Sequence, residues 1–231
     1  QLIDNTSFSM AQQDVRYFLN GICMEIGDGC LRTVATDGHR LAMCSLPFEQ
    51  TITEEYQVII PRKAIVELSR LLVEPESPVA IQIGKNYLKF TFSSLVFSAK
   101  LIDGQFPDYQ RVIPINNQNE LIADRVELIQ ALKRASILSN EKYRSIRLNF
   151  TENTLRVFAH NQEQEEAEEE VQVQYQGDDL EIGFNVTYLL DALQAVSDQQ
   201  VKILFGDPNS SCLITCSDQA ECSYVVMPMR L

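Results

Sequence analysis

The chain has 231 residues, of which 45% are hydrophobic and 22% charged, with a formal net charge of −13. That is the composition of a globular protein whose core suits one large or two ordinary domains. No run of about 18 apolar residues is present to cross a bilayer as a helix, and no signal-peptide pattern opens the chain. The acidic balance excludes a freely basic nucleic-acid binder unless positive charge is gathered on one face.

The first residue is Gln1 rather than methionine, so the chain is expected to be a piece of a longer one. Residues Leu2 to Gln13 read as a helix, with Leu2, Ile3 and Phe8 on its core side. A polar loop through Asp14 and Arg16 follows, then strands at about Gly21–Ile26 and Leu31–Ala35. Gly27-Asp28-Gly29 is the turn signal between them. In Thr33-Val34-Ala35-Thr36-Asp37-Gly38-His39-Arg40-Leu41-Ala42 the pattern is strand, corner, strand. Asp-Gly suits a tight hairpin because glycine accepts positive φ. His39 and Arg40 leave that corner beside apolar Leu41. The combination suits a small acid–base site, an anion site or the polar lip of an apolar pocket; a plain surface hairpin is the bland alternative.

Val58-Ile59-Ile60 is a short strand, and Pro61 opens a helix over Arg62–Leu72, where its missing N–H costs nothing. Ile65, Leu68 and Leu72 form the apolar stripe of that helix. Glu74-Pro75-Glu76-Ser77-Pro78 ends it. Strands Val79–Ile83, Tyr87–Ser93 and Leu95–Lys100 then run as a meander. The irregular segment Leu101–Pro114 leads to a polar stretch at 115–119, where a domain boundary is expected. In the second half the pattern predicts strand Glu120–Ile122, helix Arg125–Leu138, strands Ser145–Phe150 and Thr154–Ala159, and a glutamate run, Glu163–Glu170, leading into strand Val171–Tyr175. Strand Leu180–Phe184, a helix from Asn185 to Val196, and strands Val201–Phe205, Cys212–Cys216 and Glu221–Met227 complete the chain. Leu31-Arg32-Thr33-Val34-Ala35 lies 124 positions before Leu155-Arg156-Val157-Phe158-Ala159, and Pro61 lies 124 before Asn185. One offset at two distant points indicates a duplicated domain rather than a short-period solenoid. The second copy has a strand before its first helix and the first copy has none, so material is expected upstream of Gln1.

The six cysteines make no C-x-x-C. Metal binding is not expected, and buried reduced thiols are, which suggests the cytoplasm. Charge is segregated. Arg125, Lys133, Arg134, Lys142, Arg144 and Arg147 gather on and after one helix, Arg62, Lys63 and Arg70 on another, and the excess acid sits in the glutamate run. That run also protects a strand edge from pairing with other chains. No nucleophile elbow, P-loop, dinucleotide fingerprint or zinc motif occurs, so no enzyme is expected. The tail Tyr224-Val225-Val226-Met227-Pro228-Met229-Arg230-Leu231 stays apolar to its end, which suits a deformable binding surface.

Five strings stand in the order and spacing of one family: Thr36-Asp37-Gly38-His39-Arg40-Leu41-Ala42, Phe106-Pro107-Asp108-Tyr109-Gln110-Arg111-Val112, Leu138-Ser139-Asn140-Glu141-Lys142-Tyr143-Arg144, Glu181-Ile182-Gly183-Phe184-Asn185 and Met227-Pro228-Met229-Arg230-Leu231. Over essentially its whole length the chain resembles the middle and C-terminal domains of the bacterial sliding clamp, the beta subunit of the DNA polymerase III holoenzyme. The resemblance implies an α+β fold of two similar DNA-clamp domains, 1–116 and 117–231. Each would have antiparallel sheets on the outside and two helices on an inner face.

Members of the family have three domains per subunit, and two subunits close a ring around duplex DNA. The resemblance therefore implies a homodimer ring for a full-length protein and a monomer for this piece. Ile137, Leu138 and the glutamate run would lie near the subunit junction. It also implies a groove for short linear peptides of DNA polymerases, the clamp loader and repair proteins. From the first domain the groove would take Leu19, Thr36, Gly38, His39, Arg40 and Leu41, with Pro107, Arg111 and Val112 from the irregular segment. Asn185, Tyr188, Ser211, Val225, Met227, Pro228, Met229 and Arg230 of the last domain would complete it. Non-specific contact with double-stranded DNA would fall to Gln13, Arg16, Tyr17, Arg62, Lys63, Lys133 and Arg134. No cofactor, metal or membrane partner is implied.

Overall fold

The structure, a computed structural model, describes residues 1–27, 29–49, 54–72, 78–92, 95–216 and 221–230. Asp28 of the expected turn, the helix-ending residues 74–77 and the terminal Leu231 lie outside them. The chain divides into two compact units, Gln1–Tyr109 and Gln110–Leu231. The division falls upstream of the polar stretch expected to hold it, because the 3-10 turn Tyr109–Val112 intervenes.

The first unit holds strands β1 (Gly21–Gly27), β2 (Cys30–Thr36), β3 (Arg40–Pro47) and β4 (Tyr56–Pro61), helix α1 (Arg62–Leu71), and strands β5 (Ala80–Ile83), β6 (Tyr87–Phe92) and β7 (Leu95–Lys100). The strands pair antiparallel, β1 between β4 and β2, β2 with β3, and β6 between β5 and β7. The period of two divides β1. Ile22, Met24 and Ile26 enter a core that also takes Ile65 and Leu68 from α1, while Cys23 and Glu25 alternate to the opposite face. Pro61 stands at the N-cap of α1, as expected of a residue with no N–H to satisfy.

The expected first helix is a correction. Over residues 2–6 the chain makes turns, followed by a single 3-10 turn at Ser7–Ser9. Asp4, Asn5, Thr6, Ser7 and Ser9 crowd this stretch, and such side chains compete for the backbone. The Thr6 hydroxyl donates to the Leu2 carbonyl at 2.8 Å, an alternative to continued helix. The first unit therefore has one α-helix where two were expected.

The second unit holds β8 (Asn119–Asp124), α2 (Arg125–Ser136), β9 (Ser145–Thr151), β10 (Thr154–His160), β11 (Glu166–Gln172), β12 (Gln174–Tyr175), β13 (Leu180–Asn185), α3 (Val186–Ala195), β14 (Gln200–Phe205), β15 (Cys212–Thr215) and β16 (Glu221–Val226). One sheet runs β12-β8-β14-β15-β16 and the other β11-β10-β9-β13, all antiparallel. Phe150, Tyr175 and Phe205 stack at its centre, with the two phenylalanine rings 4.4 Å apart. Burying side chains of this size stabilises by about 2–3 kcal/mol each. The glutamate run does not merely lead into a strand. Glu166–Glu170 form most of β11, and Glu166, Glu168 and Glu170 point outward on alternate positions.

The duplication holds to the residue. β1, β2, β4 and α1 map onto β9, β10, β13 and α3 with the same 124-residue offset at both ends of every element. The register repeats too. Gly27 pairs with Cys30 as Thr151 pairs with Thr154, and Gly21 with Pro61 as Ser145 with Asn185. The copies differ at one edge: β14 pairs with β8, while β5, which follows α1 as β14 follows α3, pairs among the described residues with β6 alone.

Four cysteines, Cys23, Cys30, Cys212 and Cys216, carry free thiols. Burial pushes the Cys23 and Cys212 thiols up, Cys212 to about 12. Cys44 and Cys222 do not carry free thiols, which corrects the expectation that all six are reduced. No helix of the described residues is long and apolar enough to cross a membrane.

A β-carbon added at Gly21 would lie 2.3 Å from the Ile60 carbonyl oxygen, in the backbone of the paired strand. Gly21→Ala is therefore expected to destabilise the chain by about 2 kcal/mol, read as a lower urea midpoint with unchanged slope.

Candidate functional site

The β2–β3 corner is built around one carboxylate. Asp37 Oδ1 accepts the backbone N–H groups of His39 at 2.9 Å and Arg40 at 3.1 Å, and Oδ2 accepts Arg40 Nε at 3.1 Å. The Thr36 hydroxyl closes the other side, accepting from Gly38 N–H and donating to the Arg40 carbonyl at 2.6 Å. Gly38 sits at φ +90°, where a side chain would be strained. Arg40 extends across the corner, donating to the Phe8 carbonyl at 2.7 Å, with its guanidinium 5.6 Å from the Phe8 ring centre. Leu41 is buried at the base of the hairpin and His39 is exposed at its tip.

A loop between Ala11 and Leu19, closed by Ala11 N–H to the Leu19 carbonyl, docks on this corner. The Arg16 guanidinium grips Asp14 through Nε at 3.0 Å and Nη2 at 2.8 Å, and Nη2 also reaches the Asp37 carbonyl at 3.2 Å. The guanidinium lies so close to Gly38 that an added β-carbon there would meet it at 3.1 Å. Leu19 is buried, whereas Val15 is 94% and Tyr17 56% exposed. Of the residues expected in the first half of the groove, Leu19 and Thr36–Leu41 are therefore gathered, and Pro107 lies exposed beside buried Phe106.

In the second unit Asn185 caps α3. Its Oδ1 accepts from Thr187 N–H at 2.9 Å and Tyr188 N–H at 3.4 Å, and its Nδ2 donates to the Tyr143 carbonyl. Met229 N–H donates to the Gly183 carbonyl at 2.8 Å, an antiparallel bridge that lays the tail along β13. The apolar tail is thus held by its backbone. Val225 belongs to the core, whereas the Met227 side chain stays exposed with Pro228 and Met229 half-buried. Arg111, Val112 and Ser211 line one open hollow in this unit.

The expected cations divide into two kinds. Lys63 and Lys133 are exposed. Arg62 Nη1 donates to the Met10 carbonyl at 3.3 Å and so holds the N-terminal segment. Arg134 makes a two-pronged ion pair with Glu169, at 2.9 and 2.6 Å. That pair holds the guanidinium pKa up and the Glu169 carboxyl below the ordinary range. Arg16 is likewise paired, and Gln13 and Tyr17 are exposed. Ile137 is 76% exposed at the end of α2 and Leu138 is half-buried. Asp14 and Phe8, which hold residues expected in the groove, carried no motif, whereas Tyr143 lies in one of the five strings without having been named for the groove. Only the two-residue step from Asp14 to Arg16 could have flagged one of them.

The family model of the DNA polymerase III beta subunit, central domain, matches residues 1–108, and that of its C-terminal domain matches residues 110–230. The chain belongs to the DNA polymerase III beta subunit family. It is 53% identical over 231 residues to the beta sliding clamp of Pseudomonas aeruginosa and 49% to that of Escherichia coli K12, covering all of this chain and 63% of each relative. A crystal structure of the P. aeruginosa sliding clamp bound to griselimycin matches with a TM-score of 0.96 at 53% identity, covering 100% of this chain and 62% of that one. The chain thus spans somewhat under two thirds of the family members it resembles.

Two outcomes test this geometry. Asn185→Ala removes the α3 cap and is expected to cost about 1 kcal/mol in chemical unfolding. The Arg16 side chain holds the Asp14 carboxyl at about 2, below its unfolded value, so the stabilisation from this pair is complete above the ordinary carboxylate range and disappears as pH falls through about 2. The thermal midpoint of Asp14→Asn should therefore converge with that of the parent chain at the acid end of a pH series and lie below it at neutral pH.

Proposed function

We propose that this chain is the central and C-terminal part of a processivity factor, a sliding clamp that encircles duplex DNA as a ring when full length. It would hold short linear segments of DNA polymerases, the clamp loader and repair proteins in an apolar groove. The observation that carries the reading is the tail: a methionine-rich end held by the Met229–Gly183 backbone bridge while Met227 stays exposed. A backbone tether leaves flexible apolar side chains available to a peptide's own apolar groups. The polar lip would come from Thr36, Gly38, His39, Arg40, Asn185 and Arg230, with Leu19, Leu41, Pro107, Val112, Tyr188, Val225, Pro228 and Met229 beneath it and Arg111 and Ser211 at its margin.

In this reading the chain has no catalytic role. Asp37 holds the corner's backbone and Arg40 with both of its oxygens. DNA contact is sequence-independent and salt-dependent. Lys63 and Lys133 would carry it, Gln13, Arg16 and Tyr17 would approach from the loop, Arg62 would add charge from the start of α1, and Arg134 would contribute less because Glu169 already neutralises it. Ile137, Leu138 and the β11 glutamates would serve the subunit junction. The setting would be DNA replication in the cytoplasm, and light scattering of the chain as it stands should give the mass of a monomer.

Griselimycin, which the P. aeruginosa sliding clamp binds, serves as a probe for the proposed groove. Calorimetric titration should give saturable binding to the parent chain and weaker binding to Met227→Ala and His39→Gln; absence of any binding to the parent would remove the groove reading. For the DNA surface, a full-length protein carrying Lys63→Glu and Lys133→Glu should slide off circular duplex more readily than the parent, with a shallower dependence on salt. Unchanged retention and salt slope would rule those helices out as the DNA-facing surface.

A further inference from the structure

The face of the first sheet opposite the core carries a row of polar side chains in strict register. Gln57 of β4 lies opposite Glu25 of β1, Glu25 opposite Arg32 of β2, and Arg32 opposite Ser45 of β3. The four are linked in that order: Gln57 Nε2 donates to Glu25 Oε1 at 2.9 Å, Arg32 Nη1 to Glu25 Oε2 at 3.3 Å, and Arg32 Nε to Ser45 Oγ at 2.9 Å. One group from outside the sheet joins them. The Tyr109 hydroxyl donates to Glu25 Oε2 at 2.8 Å and accepts from Arg32 Nη1 at 3.3 Å.

Tyr109 is 5% exposed and packs edge-on against Phe106, itself 3% exposed, with ring centres 6.4 Å apart. The segment between them is otherwise irregular, and these two rings and one hydroxyl fasten it to the sheet. The glutamate and arginine side chains are 21% and 29% exposed, and groups so far withdrawn from water need strong partners. A sheet face that only needed covering would be served by apolar residues. A charged row that receives a single tyrosine hydroxyl fixes where that tyrosine sits.

We propose that this row is a latch for residues 106–112, and that Glu25, Arg32 and Tyr109 are positioning residues for the groove. The proposal rests on the peptide-groove reading. Pro107 lies within the latched segment, and Arg111 and Val112 follow Tyr109 in the same 3-10 turn. Locking Tyr109 sets the starting point and direction of that turn before a ligand arrives, which removes an ordering cost from binding.

The test measures griselimycin affinity by calorimetry and amide hydrogen exchange over residues 106–112 in the parent chain and three variants. Tyr109→Phe keeps the ring and loses the hydroxyl. It should accelerate exchange in this segment alone and weaken binding on the order of tenfold. Glu25→Leu should do the same, whereas Glu25→Gln, whose amide oxygen still accepts from Tyr109, should bind as the parent does. If the parent does not bind, the groove reading fails and the latch with it. If the parent binds and both Tyr109→Phe and Glu25→Leu match it, the groove stands and the latch is overturned. Unchanged exchange in Tyr109→Phe overturns it equally. Should Glu25→Leu not fold, the Tyr109→Phe and Glu25→Gln pair decides the question.

Discussion

The candidate site depends on the antiparallel register between β2 and β3. That register is closed at the corner by Asp37, whose carboxylate takes two backbone N–H groups and one guanidinium N–H. Because side chains alternate along a strand, a slip of one residue would turn Leu41 out to solvent and put Arg40 into the core. Thr36 and Gly38 are needed for the same closure, one as a hydroxyl bridge and one as a residue at φ +90°. The residues proposed for the groove in the first unit are therefore also the ones that make its hairpin fold correctly, so substitutions there would change stability whatever they do to binding.

Much of this could be read from the chain before any coordinates. The Asp-Gly corner, the proline that opens one helix and the asparagine that opens its counterpart depend on local chemistry, and local chemistry is written in neighbouring residues. The repeat was legible because four elements kept one offset without insertion. What failed or stayed hidden depends on long-range pairing. Glu25, Arg32, Ser45 and Gln57 have no visible relation until the strands are in register. Arg134 reads as a bare cation until β11 brings Glu169 to it from 35 positions along the chain. The N-terminal segment was misread for the opposite reason. Its apolar spacing is helical, but side-chain hydroxyls and amides next to its backbone win the competition for hydrogen bonds.

The charge distribution follows from the same pairings. A count of residues makes α2 basic and β11 acidic, which suggests two opposed surfaces. In the folded chain the two elements pack together, and the Arg134–Glu169 fork joins them. At that point the segregation is partly cancelled. An exposed pair of this kind adds little to stability. Its effect is on the field: of the basic side chains on α2, Arg134 is offset by Glu169, while Lys133 is exposed, as Lys63 is on α1. Electrostatic attraction at such a surface is set by a few uncancelled lysines rather than by the number of basic residues in the helices.

The duplicated halves are not finished alike along β5. Its counterpart β14 has neighbours on both sides, while among the described residues β5 pairs along one side only, over Ala80–Ile83. An open ladder of that kind accepts any extended backbone that meets it, with no demand on side-chain identity. In the second copy β8 fills that place beside β14, so a strand laid along Ala80–Ile83 would complete the first copy in the same way.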